Sequence, residues 1–182
     1  MTEFSYQLYS AREFPPLEKT LRMLADLGYS QVEGFGGAYD DLTGLQKALK
    51  DTGLAMTSGH FSLDMLEDEP SRALEIAAAT GMKAIYCPHI VADLRPSDAD
   101  GWRAFGERVQ KAGESCRDAG YIYGWHNHDF EVVALADGST PMAILLDAAP
   151  NIKWEADLAW VVRGGRAPLE YVERYGGRMT AV

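Results

Sequence analysis

The residues best suited to chemistry lie in one short segment, 126–131. It reads His-Asn-His-Asp-Phe-Glu and directly follows an aromatic, β-prone run that begins at Tyr121. An apolar strand that ends abruptly in ionisable side chains is typical of the C-terminal mouth of a parallel α/β barrel. Alternation along the strand predicts that His126 and His128 share one face and that Asn127 lies on the other. We therefore expect the centre of an active site at this strand end.

Polar side chains also stand at the C-terminal ends of the other predicted strands. All four histidines of the protein belong to this set. Its members are Tyr9, Glu33, His60, His89, the segment 126–131 and Asp157. The loops at this face of a barrel carry its chemistry, so these positions predict one shared site. Trp160 lies close to these strand ends and is expected to line the pocket.

The carboxylates and imidazoles of this set could bind a metal ion. We expect Glu131 and Asp157 to be ligands, with a third supplied by His128, by His89 or by a residue beyond Val182. Oxygen and nitrogen donors without a thiolate suit Mn²⁺, Mg²⁺, Co²⁺ or Zn²⁺. Glu155 precedes Asp157 on the same face but one layer deeper, and we interpret it as a supporting or structural carboxylate.

Recurring glycines predict the elements that position these residues. A Gly that closes a helical pattern is followed at once by a β-prone run, at Gly28, Gly53, Gly81, Gly120 and Gly176-Gly177. Seven strands are predicted near 4–9, 29–35, 54–60, 82–89, 121–126, 152–157 and 178–182. Six helices are predicted near 17–27, 42–50, 70–80, 97–116, 141–148 and 168–175. This alternation requires a parallel sheet with right-handed crossovers.

The length of the chain bounds the architecture. A closed (β/α)₈ barrel normally takes roughly 250 residues, and this chain has 182. We expect one α/β domain over residues 1–182, an incomplete TIM barrel of the xylose-isomerase type that lacks its C-terminal strands. An open doubly wound sheet is the alternative, but it seldom places functional side chains at nearly every strand end.

Charge and composition argue against several classes of protein. With 17 basic and 27 acidic residues the net charge is −10, which disfavours a nucleic-acid surface. No window resembles a membrane-spanning run or a secretory signal. The cysteines, Cys87 and Cys116, have no metal-ligand spacing and form no disulfide framework. We expect a cytoplasmic protein whose partner is a small molecule.

Five sequence motifs stand in a familiar order and spacing. They are Gln7-Leu-Tyr-Ser, Val32-Glu, Ser58-Gly-His, His126 to Glu131, and Glu155-Ala-Asp-Leu-Ala-Trp followed by Gly165-Arg-Ala-Pro. Together they resemble the xylose-isomerase-like sugar phosphate isomerase/epimerase family over essentially the whole chain. The resemblance implies a (β/α)₈ barrel with one divalent metal, held by Glu, Asp, His and Glu from the last four strands. It also implies homodimers or homotetramers.

Carried over residue by residue, the resemblance assigns the first metal carboxylate to Glu131 and the second to Asp157. The family's His, within a His-x-Lys-Asp motif, and its last Glu would fall beyond Val182. Trp160 stands where many epimerases of the family have a substrate-binding His, while other branches carry Trp.

The leading hypothesis is a metal-dependent isomerase or epimerase of a sugar, sugar phosphate or keto-polyol that acts through an enediolate. Glu131 and His128 would be the catalytic groups. The substrate would contact Tyr9, Glu33, His60, His89, His126, Asn127 and Trp160.

Two alternatives stay open. One is a lyase or dehydratase of a keto-inositol or keto-glycoside, which shares the enolate and differs only in the departure of a leaving group. The other is a non-catalytic sugar-binding or interaction domain that has lost its metal. The phosphodiesterase branch of the fold needs a basic DNA face, and the charge of −10 argues against it.

Overall fold

Seven parallel strands form a single sheet in sequence order. The computed structural model describes residues 4–182. Its strands are β1 (Ser5–Gln7), β2 (Gln31–Gly34), β3 (Ala55–His60), β4 (Ala84–Cys87), β5 (Ile122–His126), β6 (Lys153–Glu155) and β7 (Met179–Ala181). Each strand pairs in parallel with the next, from β1 to β7. All seven predicted strands are therefore confirmed.

Contacts between strands that are not neighbours show that the sheet curls. His60 on β3 and Glu155 on β6 lie 2.6 Å apart, although β4 and β5 separate their strands. Tyr86 on β4 likewise reaches Thr180 on β7 at 2.9 Å. Such contacts require a concave inner face. In the described residues β1 and β7 are the two edges of the sheet, so the molecule is a curled half-barrel, an incomplete TIM barrel.

Nine α-helices occur in residues 4–182. They are α1 (Leu17–Asp26), α2 (Leu42–Thr52), α3 (Leu63–Asp68), α4 (Pro70–Thr80), α5 (Ala99–Ala112), α6 (Glu114–Asp118), α7 (Pro141–Ala148), α8 (Leu158–Arg163) and α9 (Pro168–Tyr175). Four of the expected glycine stops are confirmed, because Gly28, Gly53, Gly81 and Gly120 have positive φ, with 72° and 80° at Gly53 and Gly81 after α2 and α4. These left-handed conformations favour a residue without a Cβ. The stop expected at Gly176-Gly177 is wrong: Gly176 has φ of −56°, and α9 continues into a 3-10 turn over Gly176–Arg178.

The helix count differs from the prediction of six for identifiable reasons. The predicted helix over 97–116 is divided at Gly113 into α5 and α6, and a Cβ there would overlap the ring of Tyr123. The sequence did not predict α3 and α8, which have six residues each and are too short to show helical periodicity. In the first turn of each helix, the backbone amides of Met65 and Trp160 donate to the side chains of Ser62 and Asp157, respectively.

The hydrophobic core lies between the outer face of the sheet and the helices. Tyr123 and Trp125 of β5 pack there, Tyr123 through a hydrogen bond to the carbonyl of Val109 and Trp125 through an edge contact with Phe105. The inner face, by contrast, carries polar side chains at the strand ends, and it is there that the candidate site forms. No helix in the described part of the chain is long and apolar enough to span a membrane.

Candidate active site

Two imidazoles and one carboxylate meet on the inner face of the half-barrel. His60 Nε2 lies 2.6 Å and His126 Nδ1 lies 3.0 Å from the same oxygen, Oε2 of Glu155. The two imidazole rings are 4.8 Å apart. Each of the three residues is the last of its strand, so the parallel sheet delivers all three to one end of the barrel. We call this group the His60–His126–Glu155 cluster.

A second carboxylate, Glu33, supports the cluster from β2. His60 Nε2 lies 3.2 Å from Glu33 Oε1, which also accepts a hydrogen bond of 3.1 Å from Gln7 Nε2. Ser58 Oγ donates to Glu33 Oε2 at 2.7 Å. Burial raises the pKa of Glu33 to about 7, with His60 opposing the shift and Glu155 adding to it. Glu33 is therefore largely protonated in mildly acidic solution.

Glu155 and His60 behave as an ion pair. Burial alone would raise the pKa of Glu155, but the hydrogen bonds from His126 and His60 outweigh it and hold that pKa well below its ordinary value. Burial alone would lower the pKa of His60, yet its hydrogen bond to Glu155 and the charges of Glu33 and Glu155 raise it above 6.5. The two buried charges stabilise each other at the centre of the site.

A cavity of about 1020 Å³ opens above the cluster. It is lined by seven of the ten residues that the sequence assigned to the site, together with side chains from the surrounding loops. The seven are Tyr9, His60, His89, His126, His128, Asp157 and Trp160. Glu33, Asn127 and Glu131 do not contribute to its wall.

His128 stands in an aromatic cage on the cavity wall. Its ring is stacked on Phe130 at 6.0 Å and lies 5.2 Å from Trp160 and 5.4 Å from His89. Burial and the neighbouring charge of His126 lower the pKa of His128 to about 4. Nδ1 of His128 is buried without a hydrogen-bond partner. The imidazole is therefore neutral at pH 7.

Glu131 is placed differently from the cluster. Its side chain is fully buried, with Oε1 accepting from Trp125 Nε1 at 3.0 Å and Oε2 from the backbone amide of His128 at 2.9 Å. Burial raises its pKa to about 7. These bonds fix the loop that follows β5. Its assignment as a metal ligand and catalytic base stays a prediction, to which the structure adds this positioning role.

Asn127 ties the ends of β5 and β6 together. Its Oδ1 accepts from Trp154 Nε1 at 2.8 Å and from the amide of Asp157 at 3.0 Å, while its Nδ2 donates to the carbonyl of Asp157 at 2.9 Å. The predicted alternation is confirmed, because Asn127 faces away from His126. Asp157 lines the cavity and caps α8 through Oδ1, 2.9 Å from the amide of Trp160.

Sequence reasoning underestimated Glu155 and missed Gln7 and Ser58 as contributors to the site. Glu155 lies within hydrogen-bond distance of both imidazoles, so it forms the hub of the cluster rather than a supporting contact. The signal available in the sequence was an acidic side chain on the inward face near the end of a β-prone run. Gln7 and Ser58 carry no such signal, because neutral polar side chains are common in any strand.

The donor atoms of the cluster fit a divalent metal ion. Ligand atoms of His60, His126 and Glu155 all lie within 4.8 Å of one another. Within residues 4–182 it is the one group of three such side chains that meets this spacing. His60 Nε2 and His126 Nδ1 both point at Glu155 Oε2, so the three donor atoms converge on one position where a cation could bind. Two nitrogens and an oxygen without a thiolate suit Mn²⁺, Mg²⁺, Co²⁺ or Zn²⁺.

Comparison with known proteins finds similarity to solved structures but no matching protein family and no matching curated protein. A sugar phosphate isomerase/epimerase from Parabacteroides distasonis ATCC 8503 is similar with a TM-score of 0.83 and 23% identity, over 97% of this chain and 72% of that one. The fold is that of a xylose-isomerase-like TIM barrel.

Other structures with this fold span several activities. The 3-keto-D-glucoside 4-epimerase YcjR from E. coli, in its apo form, is similar with a TM-score of 0.71 and 16% identity, over 100% of this chain and 78% of that one. A xylose isomerase-like TIM barrel protein from Mycobacterium smegmatis in complex with magnesium is similar with a TM-score of 0.69 and 17% identity, over 98% of this chain and 74% of that one. A probable dehydratase and an AP endonuclease share the architecture. At these identities the likeness establishes the fold.

Proposed function

We propose that this chain is an isomerase or epimerase of a sugar, sugar phosphate or keto-polyol that acts through an enediolate and depends on one divalent metal ion. The observation that carries the proposal is the His60–His126–Glu155 cluster at the base of a cavity of about 1020 Å³. Its position at the C-terminal strand ends is where enzymes of this architecture carry their chemistry. Similarity in fold to isomerases and epimerases supports the same reaction class.

The cluster provides the ligands that a metal needs. His60 Nε2, His126 Nδ1 and Glu155 Oε2 would hold the ion in place of their present hydrogen bonds. A bound divalent ion supplies a Lewis acid that stabilises negative charge on the oxygens of the substrate. Glu33 Oε1 lies 3.2 Å from the same Nε2 of His60, so it would place a second carboxylate beside the proposed metal position. Gln7 and Ser58 hold Glu33 there by hydrogen bonds.

The remaining side chains bind the substrate. The imidazole of His128 is neutral at pH 7 because its pKa is about 4, so it can accept a hydrogen bond from a hydroxyl in the cavity. The carboxylate of Asp157 faces the same cavity. Phe61, Phe105 and Trp160 line the wall and exclude water from the reacting carbon. Excluding water strengthens every charge interaction in the site.

Metal binding distinguishes the two proposed ligand sets. We expect the chain to bind one Mn²⁺ or Zn²⁺ in isothermal titration calorimetry, and Glu155→Gln to weaken binding by about 100-fold or more. Glu75→Gln is the control, because the Glu75 side chain is 64% exposed and pairs only with Arg72. If Asp157→Asn and Glu131→Gln abolish binding while Glu155→Gln does not, the ligands are the pair expected from sequence.

Solvent exchange tests the reaction. With the metal present, the parent chain should incorporate deuterium from D₂O into at least one member of a panel of aldoses, ketoses, their phosphates and keto-inositols, as read by mass spectrometry. Glu155→Gln should lose this exchange and Glu75→Gln should keep it. Loss of water or of an alcohol from the substrate would identify the lyase instead. If the chain binds no stoichiometric metal and gives neither exchange nor product with any of these compounds, the non-catalytic binding domain is favoured instead.

A further inference from the structure

The mouth of the cavity differs chemically from its floor. His60, His126, His128 and Asp157 make the floor polar. At the mouth, Tyr9, Val91 and Leu94 line the cavity and are 48%, 54% and 64% exposed. Single exposed apolar residues are ordinary, but several that face one cavity mark a binding surface.

The apolar side chains at the mouth come from three separate loops. Tyr9 follows β1, Phe35 follows β2, and Val91 and Leu94 follow β4. The rings of Tyr9 and Phe35 make an edge contact with centroids 5.7 Å apart. We call these four residues the apolar mouth. Three loops that converge with the same chemistry form a surface for a ligand group, because the fold leaves Tyr9, Val91 and Leu94 exposed and Phe35 only half-buried.

The cavity is larger than a single sugar requires. Its volume of about 1020 Å³ stands at the upper end of the roughly 300–1,000 Å³ of pockets that hold drug-sized ligands. A monosaccharide on the polar floor is much smaller than such a ligand. The floor therefore accounts for part of the cavity, and the apolar mouth has room for a second group attached to the sugar.

The charges on the wall indicate that this second group is neutral. Among residues 4–182, the lysines and arginines that line the cavity are Arg12 and Arg108 alone. Arg108 is held in two hydrogen bonds of 2.7 and 2.6 Å by Glu67. Arg12 donates to the carbonyl of Tyr9 at 3.0 Å, lies 3.5 Å from Glu13 and covers the ring of Tyr9. With both cations already paired, the wall is poorly suited to a phosphate.

From these observations we infer that the substrate is a glycoside with a neutral aryl aglycone. The sugar lies against the polar floor, and the aglycone lies against the apolar mouth. Aromatic and aliphatic side chains stabilise such a group by removing its surface from water and by ring contacts. The inference rests on the proposed function, since it assigns the sugar to the same floor, and it narrows the substrate class to glycosides of apolar alcohols.

Matched pairs of glycosides test the inference in the metal-loaded chain. Phenyl and methyl glycosides of glucose, galactose, mannose and xylose are titrated by calorimetry. For the sugar that binds, we expect the phenyl glycoside to bind about tenfold more tightly than the methyl glycoside. The double variant Val91→Ser/Leu94→Ser should reduce this ratio to near one. Equal binding of each phenyl and methyl pair to the parent would overturn the inference.

A matched control lies elsewhere on the surface. Val133 and Val162 are 53% and 60% exposed and do not line the cavity. The variant Val133→Ser/Val162→Ser removes the same kind of surface, so it should keep the preference for phenyl glycosides. If it loses the preference as fully as the mouth variant does, the effect is general and the mouth is not the aglycone site.

Benzyl alcohol separates failure of this inference from failure of the proposed function. In methyl NMR spectra it should shift Val91 and Leu94 but not Val133 and Val162. Without such shifts the apolar mouth binds no aryl group, whatever the chain catalyses. Shifts without deuterium exchange would refute the proposed function and leave the mouth as an aryl-binding surface. If benzyl alcohol shifts Val91 and Leu94 but no glycoside binds, the mouth binds an aryl group and the inference that the substrate is a glycoside is wrong.

Discussion

Glu155 and Glu131 are both buried glutamates at neighbouring strand ends, yet their surroundings shift their pKa values in opposite directions. Glu155, on the inner face, accepts hydrogen bonds from His60 and His126, and these hold its pKa below the ordinary value against the effect of burial. Glu131, beside Trp125, is bonded by an indole and an amide, and burial raises its pKa to about 7.

The difference lies in the charge of the partners. Imidazoles can carry a positive charge, so an ionised Glu155 gains attraction as well as hydrogen bonds. An indole and an amide are neutral donors, and two such bonds do not offset the loss of water around an ionised Glu131. The cluster on the inner face of the sheet therefore stabilises an ionised carboxylate. The neutral donors around Glu131 on the outer face instead fix the conformation of the chain.

The largest expected effect concerns the stability of these two sites. In the metal-free chain at pH 7, Glu155→Gln should lower the free energy of unfolding by about 4 kcal/mol, because it removes the carboxylate that pairs with the buried imidazolium of His60. Glu131→Gln should cost about 1 kcal/mol, since one neutral acceptor remains. Urea unfolding measures both. Equal costs would mean that the two faces do not differ as described.

The pH dependence of Glu131 should be nearly as large. Its folded pKa of about 7 exceeds the ordinary value of 4.5, so its contribution to stability is complete below pH 4.5 and is lost as the pH rises through 7. The loss amounts to roughly 3 kcal/mol. Gln imitates the protonated acid. From pH 5 to pH 8 the parent should therefore lose stability relative to Glu131→Gln, and a constant difference would contradict the raised pKa.

The bridge that Asn127 forms between the ends of β5 and β6 should contribute less to the free energy of unfolding. Asn127→Ala leaves the indole of Trp154 and the amide of Asp157 without their acceptor, at a cost of about 2 kcal/mol in unfolding free energy. Asn151→Ala is the control, because the Asn151 side chain is exposed and only its backbone amide is bonded. Comparable losses in both variants would show that the bridge contributes nothing specific.

The smallest effect sharpens the account of the outer face. Trp125→Phe removes the indole donor to Glu131 and should cost about 1 kcal/mol more than Trp102→Phe. Trp102 is the matched control because its Nε1 is buried without a partner. The same change should raise the pKa of Glu131 further, as read from the pH dependence of unfolding. An unchanged profile would show that the indole does not influence Glu131.

Much of the fold could be predicted because its signals are local. Glycines that end helices and β-prone runs that follow them need only neighbouring residues to act, and all seven strands were found in this way. The short helices α3 and α8 escaped because a single turn or two carries no periodicity. Asp157, whose side chain caps α8, was interpreted as a metal ligand instead.

The sequence by itself determined that polar side chains would gather at the C-terminal ends of parallel strands, because strand order and direction follow from local pattern. It also determined the alternation that sends His126 inward and Asn127 outward. Which carboxylate meets the imidazoles was decided only by the tertiary structure. Glu155 and His60 are separated by 95 positions in the chain and meet across the interior of the curled sheet, a distance that depends on curvature and on no local signal.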